Sequence, residues 1–175
     1  MSDRTDKNKT NRPRWRRWAV DIGLVFLVVF AVQAWKTRSM PVGKAPPLQG
    51  SLLAGQKVSL QDYRGKPVLV HFWATWCPVC RTEEGNIRNV AKDYQVLSIA
   101  MTSGSASEVS QYMRENGLDF PVLLDESGLL SVAWGVRGVP SSFIIDADGQ
   151  IRHLAVGYTT ELGLRFRLWL AGWQS

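Results

Sequence analysis

Hydrophobic positions along this chain fall into three patterns, each predicting a different kind of element. From Ala19 to Trp35 the run is apolar, broken only by Asp21 near its start and Gln33 near its end. Trp15, Trp18 and Trp35 flank it as interfacial anchors do. Counted from Trp18 to Trp35, it lies at the short end of what crosses a bilayer. Val68-Leu69-Val70-His71-Phe72-Trp73 is almost wholly apolar, as for a strand buried on both faces. A helix follows from Cys77 to about Tyr94. Beyond it the periodicity alternates. It predicts a strand at Val96–Met101, a helix at Glu108–Asn116 and a short edge strand at Phe120–Leu124. Ser105 or Ser107 caps that helix and Gly117 stops it. A short helix at Leu129–Trp134 comes next. Ser142–Asp146 and Ile151–Val156 then read as a hairpin around Asp146-Ala147-Asp148-Gly149, closed by an amphipathic helix at Thr160–Ala171. Strands alternating with helices argue an α/β fold with a mixed sheet.

Charge refines the organisation. The formal net charge is +6, but Arg4, Lys7, Lys9, Arg12, Arg14, Arg16 and Arg17 lie ahead of the apolar run, against Asp3 and Asp6. The remainder is nearly neutral, so the excess reads as a targeting signal and no nucleic-acid partner is expected. Residues 1–17 form a basic tail facing the cytoplasm, and 18–36 a single transmembrane anchor. The alternative for that segment is a cleavable signal peptide cut after Val32-Gln33-Ala34. Residues 37–47, with Pro41, Pro46 and Pro47, read as a linker. Residues 48–175 are the globular domain. Either N-terminal reading delivers this domain to the periplasm, where a disulfide persists.

The only two cysteines, Cys77 and Cys80, are separated by Pro78 and Val79 at the predicted helix start. There one thiol is expected to be exposed and the other to lie beneath it. Unpaired N–H groups and the helix dipole favour a thiolate on the first. Pro78 suits the first turn, where no intrahelical N–H is needed. Rival readings are a structural disulfide, closing a very short loop, half a zinc site, and a Cu(I) site. No second Cys pair exists, and the only histidines are His71 and His153.

Phe72-Trp73-Ala74-Thr75-Trp76-Cys77-Pro78-Val79-Cys80-Arg81, followed by Gly135-Val136-Arg137-Gly138-Val139-Pro140-Ser141-Ser142-Phe143, resembles the thioredoxin superfamily. The likeness extends over roughly residues 45–172. It is especially similar to the membrane-anchored TlpA-like branch, and within it to the suppressor-for-copper-sensitivity D group. The resemblance implies a thioredoxin-like fold with an N-terminal hairpin at Gln49–Leu60, turning at Ala54-Gly55-Gln56. It implies that Cys77 attacks a substrate disulfide and Cys80 resolves the intermediate. Pro140 is expected in the cis form facing the cysteines, with Val139 pairing its backbone to the substrate. Trp76, Pro78 and Val79 border the sulfurs on the substrate side. Val79 offers neither charge nor a polar hydrogen bond, which argues against an extreme oxidant.

Glu83 matches a glutamate of the TlpA-like proteins near the dithiol, a solvated surface position being the alternative. His71 departs from the pattern. It stands where classical thioredoxins carry a buried aspartate, and reads either as a proton carrier or as a hydrogen-bonded core residue. The resulting expectation is a periplasmic, inner-membrane-tethered thiol–disulfide oxidoreductase. It would reduce disulfide-containing periplasmic proteins with electrons from a membrane-embedded thiol reductase, and contribute to copper or oxidative stress tolerance. The Cys77–Cys80 pair is its whole redox group, with no metal, flavin or nicotinamide. A Cu(I) carrier using His153 and a thiol peroxidase are the alternatives.

Overall fold

The computed structural model describes residues 14–37 and 40–173, and the chain divides into two compact units between Trp35 and Lys36. Helix α1 (Arg14–Thr37) supplies the described residues of the first and runs two residues past the boundary. Trp18, Val20, Ile22, Leu24, Val25, Phe26, Leu27, Val28 and Val32 are all exposed. Consecutive positions point to different sides of a helix, so its apolar surface runs all round. Among the described residues no helix is long and apolar enough to cross a membrane. Residues 1–13 of the expected basic tail and 38–39 of the expected linker lie outside the described residues.

The second unit begins earlier than the proline-rich sequence predicts. Met40 and Leu48 are buried in the core. Between them β1 (Gly43–Lys44) pairs antiparallel with a later strand, Gly43 opposite Ile151. Much of the expected 37–47 linker is therefore an edge of the domain. Pro46 and Pro47 follow this two-residue strand, where no ladder N–H is required of them. Next, β2 (Gln49–Ser51) and β3 (Lys57–Ser59) form the expected hairpin, with Leu52 N–H donating to Gln56 O at 2.8 Å. A 3-10 turn at Leu60–Tyr63 leads on to the central strand.

That strand, β4 (Val68–Trp73), is buried at every position. α2 (Pro78–Ala91), β5 (Gln95–Met101), α3 (Ala106–Glu115), β6 (Val122–Asp125) and α4 (Leu129–Ala133) follow. β7 (Ser141–Ile145), β8 (Gln150–Val156) and α5 (Glu161–Trp173) complete the chain. The main sheet runs β1-β8-β7-β4-β5-β6. β4, β5 and β6 are parallel, whereas β7 is antiparallel to β4 and β8 to β7. This is a mixed, thioredoxin-like α/β sheet. Alternation along β4 sends Leu69 and Trp73 into one core layer with α2 and α5, and Val68, Val70 and Phe72 into the other with Trp134 and Phe143.

Three details differ from the sequence pattern. Phe120 is core but precedes β6, which runs on to Asp125. α2 ends at Ala91, with Tyr94 N–H still returning to Val90 O. α5 is not amphipathic in the ordinary sense. Leu164, Leu168 and Ala171 face the core, while Leu162, Phe166, Trp169 and Trp173 are exposed.

Candidate active site

β4 ends at Trp73, and a turn closed by Cys77 N–H to Ala74 O (3.2 Å) delivers Cys77 to the N-cap of α2. Cys77 keeps extended backbone angles, and Pro78 takes the first turn without losing an intrahelical bond. Cys80 N–H donates to Cys77 Sγ at 3.2 Å, so an otherwise orphaned helix N–H points at the sulfur. Both cysteines are free.

The sequence expectation of an exposed first thiol is corrected: Cys77 is 4% exposed and Cys80 1%. The loop carrying Val139 and Pro140 covers the sulfur. Their peptide bond is cis, and the Val139 carbonyl accepts from Cys77 Sγ at 3.6 Å. Beside the buried pair, Trp76 (56% exposed) and Val79 (43%) remain at the surface.

Glu83 lies one helical turn past Cys80 and is fully buried. Cys80, Glu83, Ile87 and Val90 form the inward stripe of α2. Glu83 Oε1 accepts from Thr159 N–H at 3.1 Å, while buried Oε2 has no partner. Burial pushes its carboxyl up to about 7, partly opposed by the Thr159 N–H. Burial, the Cys77 sulfur and the Glu83 charge together push the Cys80 thiol far up. A carboxyl that titrates near neutrality thus neighbours a thiol that gives up its proton reluctantly.

Comparison with known families finds that the model described as the AhpC/TSA family matches residues 42–154. The chain belongs to the AhpC/TSA family. It is 31% identical to the thioredoxin-like protein YneN of Bacillus subtilis, over 87% of this chain and 97% of that one. It is also 31% identical to the thiol-disulfide oxidoreductase ResA of Bacillus thuringiensis, over 74% of this chain and 78% of that one. A thioredoxin-family thiol:disulfide interchange protein from Chlorobium tepidum superposes with a TM-score of 0.65 at 29% identity, over 75% of this chain and 96% of that one. This AhpC/TSA-family chain is a thioredoxin-like thiol–disulfide oxidoreductase.

Around its dithiol the structure brings together Cys77, Cys80, Trp76, Pro78, Val79, Val139, Pro140 and Glu83. His71 lies on the same face of β4 as Leu69 and Trp73 and is buried; its Nδ1 is 3.0 Å from Ser142 Oγ. Burial pushes its pKa down to about 3, so the ring is neutral at physiological pH. His153 is not brought to the cysteines. It sits in β8 opposite Ile144, three positions below the Ser141–Val156 pair that borders the Pro140 loop. Among the described residues no three His, Cys, Asp or Glu side chains gather as a metal ion would require.

Sequence reasoning missed the β5–α3 loop, which braces the active-site turn. Ser103 Oγ accepts from Thr75 N–H (3.2 Å), and Thr102 O accepts from Trp76 Nε1 (3.1 Å). Thr102 holds φ 42°, a region that β-branched residues rarely enter, so its sequence gives no sign of this conformation. Arg81 adds a bond from Nη2 to Thr75 O at 3.2 Å. Thr159, whose backbone holds Glu83, is equally silent in sequence.

Proposed function

We propose that this oxidoreductase is a periplasmic protein-disulfide reductase, attached to the inner membrane by the Ala19–Trp35 segment. The observation that carries the redox part is the contact between Cys80 N–H and Cys77 Sγ beneath the Val139–Pro140 loop. Cys77, as thiolate, attacks one sulfur of a substrate disulfide. That S–S bond breaks, the departing sulfur takes a proton, and a mixed disulfide remains on Cys77. Cys80 then loses its proton to the Glu83 carboxylate and attacks Cys77 Sγ. The second substrate sulfur leaves, so the substrate gains two electrons and Cys77–Cys80 becomes a disulfide. A membrane-embedded thiol reductase of the dithiol type restores the starting state. The dithiol is the whole redox group, and no bound cofactor takes part.

The half-buried Val139, flanked by Trp76 and Val79, would offer its backbone for pairing to an extended substrate strand. Attachment to the membrane is supported by the sequence between the arginine cluster and Trp35, and by the all-round exposure of apolar side chains on α1. The basic side would stay cytoplasmic and leave the domain in the periplasm. A part in copper or oxidative stress tolerance follows from the resemblance to the copper-sensitivity group.

The test is a trapping experiment with the full chain and a disulfide-bonded peptide. Cys80→Ser should accumulate a mixed disulfide through Cys77, whereas Cys77→Ser should form none. Trapping through Cys80 in the Cys77→Ser variant, or no adduct with either, would sink the proposed order of attack.

A further inference from the structure

The active-site end of the sheet carries an exposed aromatic side chain that the exchange steps leave unused. β4 and β5 are parallel, β7 is antiparallel to β4 and β8 to β7, so the ends of β4, β5 and β8 lie beside the start of β7. In sheet order this rim carries Tyr158 after β8, Pro140 before β7, Cys77 after β4 and Thr102 after β5. Trp76 is held on the β5 side, its Nε1 donating to Thr102 O. Tyr158 stands on the other side. It is 54% exposed and belongs to neither core layer.

Both chain neighbours of Tyr158 touch the site. Gly157 N–H donates to Pro140 O at 2.8 Å, and Thr159 N–H to Glu83 Oε1 at 3.1 Å. Gly157 leaves β8 with φ 90°, a turn that favours glycine. The ring is tied to α2, where Asn86 Nδ2 donates to the Tyr158 hydroxyl at 3.3 Å and to Thr159 O at 3.0 Å. A ring held in this way gives up little freedom when a partner packs against it. From β8 to β5 is three strand spacings, roughly 14 Å, the length of about four extended residues. Tyr158 and Trp76 thus stand towards the two ends of a span that has Val139 and Cys77 between them.

We infer that Tyr158 is a specificity-determining residue: its ring packs against an aromatic or large aliphatic side chain of the substrate, on the far side of Cys77 from Trp76. The substrate class is a protein disulfide in an extended segment, with such a side chain within about three residues of the attacked cysteine. The inference rests on the proposed attack by Cys77, and the two fail separately.

The full chain carrying Cys80→Ser is allowed to form the Cys77 mixed disulfide with a cystine peptide that has phenylalanine on both sides of its cysteine. The photo-crosslinker p-benzoylphenylalanine replaces Tyr158 or, as a control, Trp173. Trp173 is 75% exposed at the other end of the sheet, where its neighbour Gly172 adjoins Pro67 ahead of β4. After irradiation the disulfide is reduced, so that only peptide joined by light stays attached. Peptide retained at position 158 and none at 173 is the expected result. A mixed disulfide that forms without retention at 158, or with equal retention at 173, overturns the role of Tyr158 alone. If no mixed disulfide forms, the order of attack falls and the inference falls with it. Catalysed reduction by the chain with both cysteines supplies a second readout. The kcat/KM for the phenylalanine peptide, divided by that for its glycine counterpart, should fall about three- to tenfold in Tyr158→Ala and be retained in Tyr158→Phe. An unchanged ratio in Tyr158→Ala overturns the inference.

Discussion

Glu83 and His71 are two buried titratable side chains on the same side of the sheet, and burial moves them in opposite directions. For Glu83 the native state holds a proton up to pH about 7, whereas the unfolded chain releases it near 4.5. Its contribution to stability is thus fully present below pH 4.5 and is lost as pH rises through 7. The difference corresponds to on the order of 3 kcal/mol. His71 runs the other way. Its native pKa of about 3 lies below the ordinary histidine value of 6.5, so its contribution is present above 6.5 and is lost as pH falls toward 3. Comparing wild type with Glu83→Gln isolates the carboxyl, because His71 is common to both. At pH 8 the variant should be more stable in urea, by about 1–3 kcal/mol once its buried amide is discounted. Below pH 4.5 the gain should vanish. A gain independent of pH would show that Glu83 does not titrate in this window. The same variant should lengthen the lifetime of the Cys77 mixed disulfide at neutral pH, followed by quenched-flow gel analysis. An unchanged lifetime would remove Glu83 as the acceptor of the Cys80 proton.

Elements respond to their ends and edges. Met40 enters the core from a segment with no strand periodicity, and β1 then pairs with β8 through two residues. Met40→Ala should cost about 2–3 kcal/mol in denaturant unfolding, whereas a free linker residue would cost almost nothing. α3 is held by a reciprocal cap in which Ser105 Oγ accepts from Glu108 N–H and the Glu108 carboxylate accepts from Ser105 N–H. Ser105→Ala should cost about 1 kcal/mol; an unaltered denaturation midpoint would mean that water replaces the cap. These cases also show what the sequence pattern carries. β4 is legible because six consecutive buried positions need no choice of face, and the α2 start because Cys77-Pro78 fits an N-cap and first turn. β1 is not legible, since Gly43-Lys44 has neither length nor alternation. Glu83 and Glu84 look equivalent until the helical phase of Cys80, Ile87 and Val90 turns one inward. The outer face of α5 was masked by Arg165 and Arg167, which lie to the sides of the apolar stripe rather than on it.

For the whole molecule, the direction of electron flow depends on how strongly the reduced pair is favoured over the disulfide. Val79 and Pro78 place no charge beside Cys77, and the Cys80 thiol is pushed far up by burial, Cys77 and Glu83. The neutral residues between the cysteines add no charge to the Cys80 N–H contact in stabilising the single Cys77 thiolate on which a strong oxidant relies. The equilibrium potential of the full chain against glutathione should therefore fall near the thioredoxin value of about −270 mV, far from the roughly −120 mV of a strong oxidant. A difference of about 30 mV corresponds to about 1.4 kcal/mol for this two-electron couple, so the two outcomes are separated by several kcal/mol. A value at the oxidising end would reverse the proposed direction and make the proposed membrane-embedded partner an electron acceptor. It would leave the Cys77–Cys80 exchange chemistry itself in place. Repeating the titration with Glu83→Gln connects the two scales. Glu83 charge raises the Cys80 thiol, so its neutralisation should shift the potential at pH 8 more than at pH 5, where the native carboxyl is already protonated. Equal shifts at both pH values would break that electrostatic link.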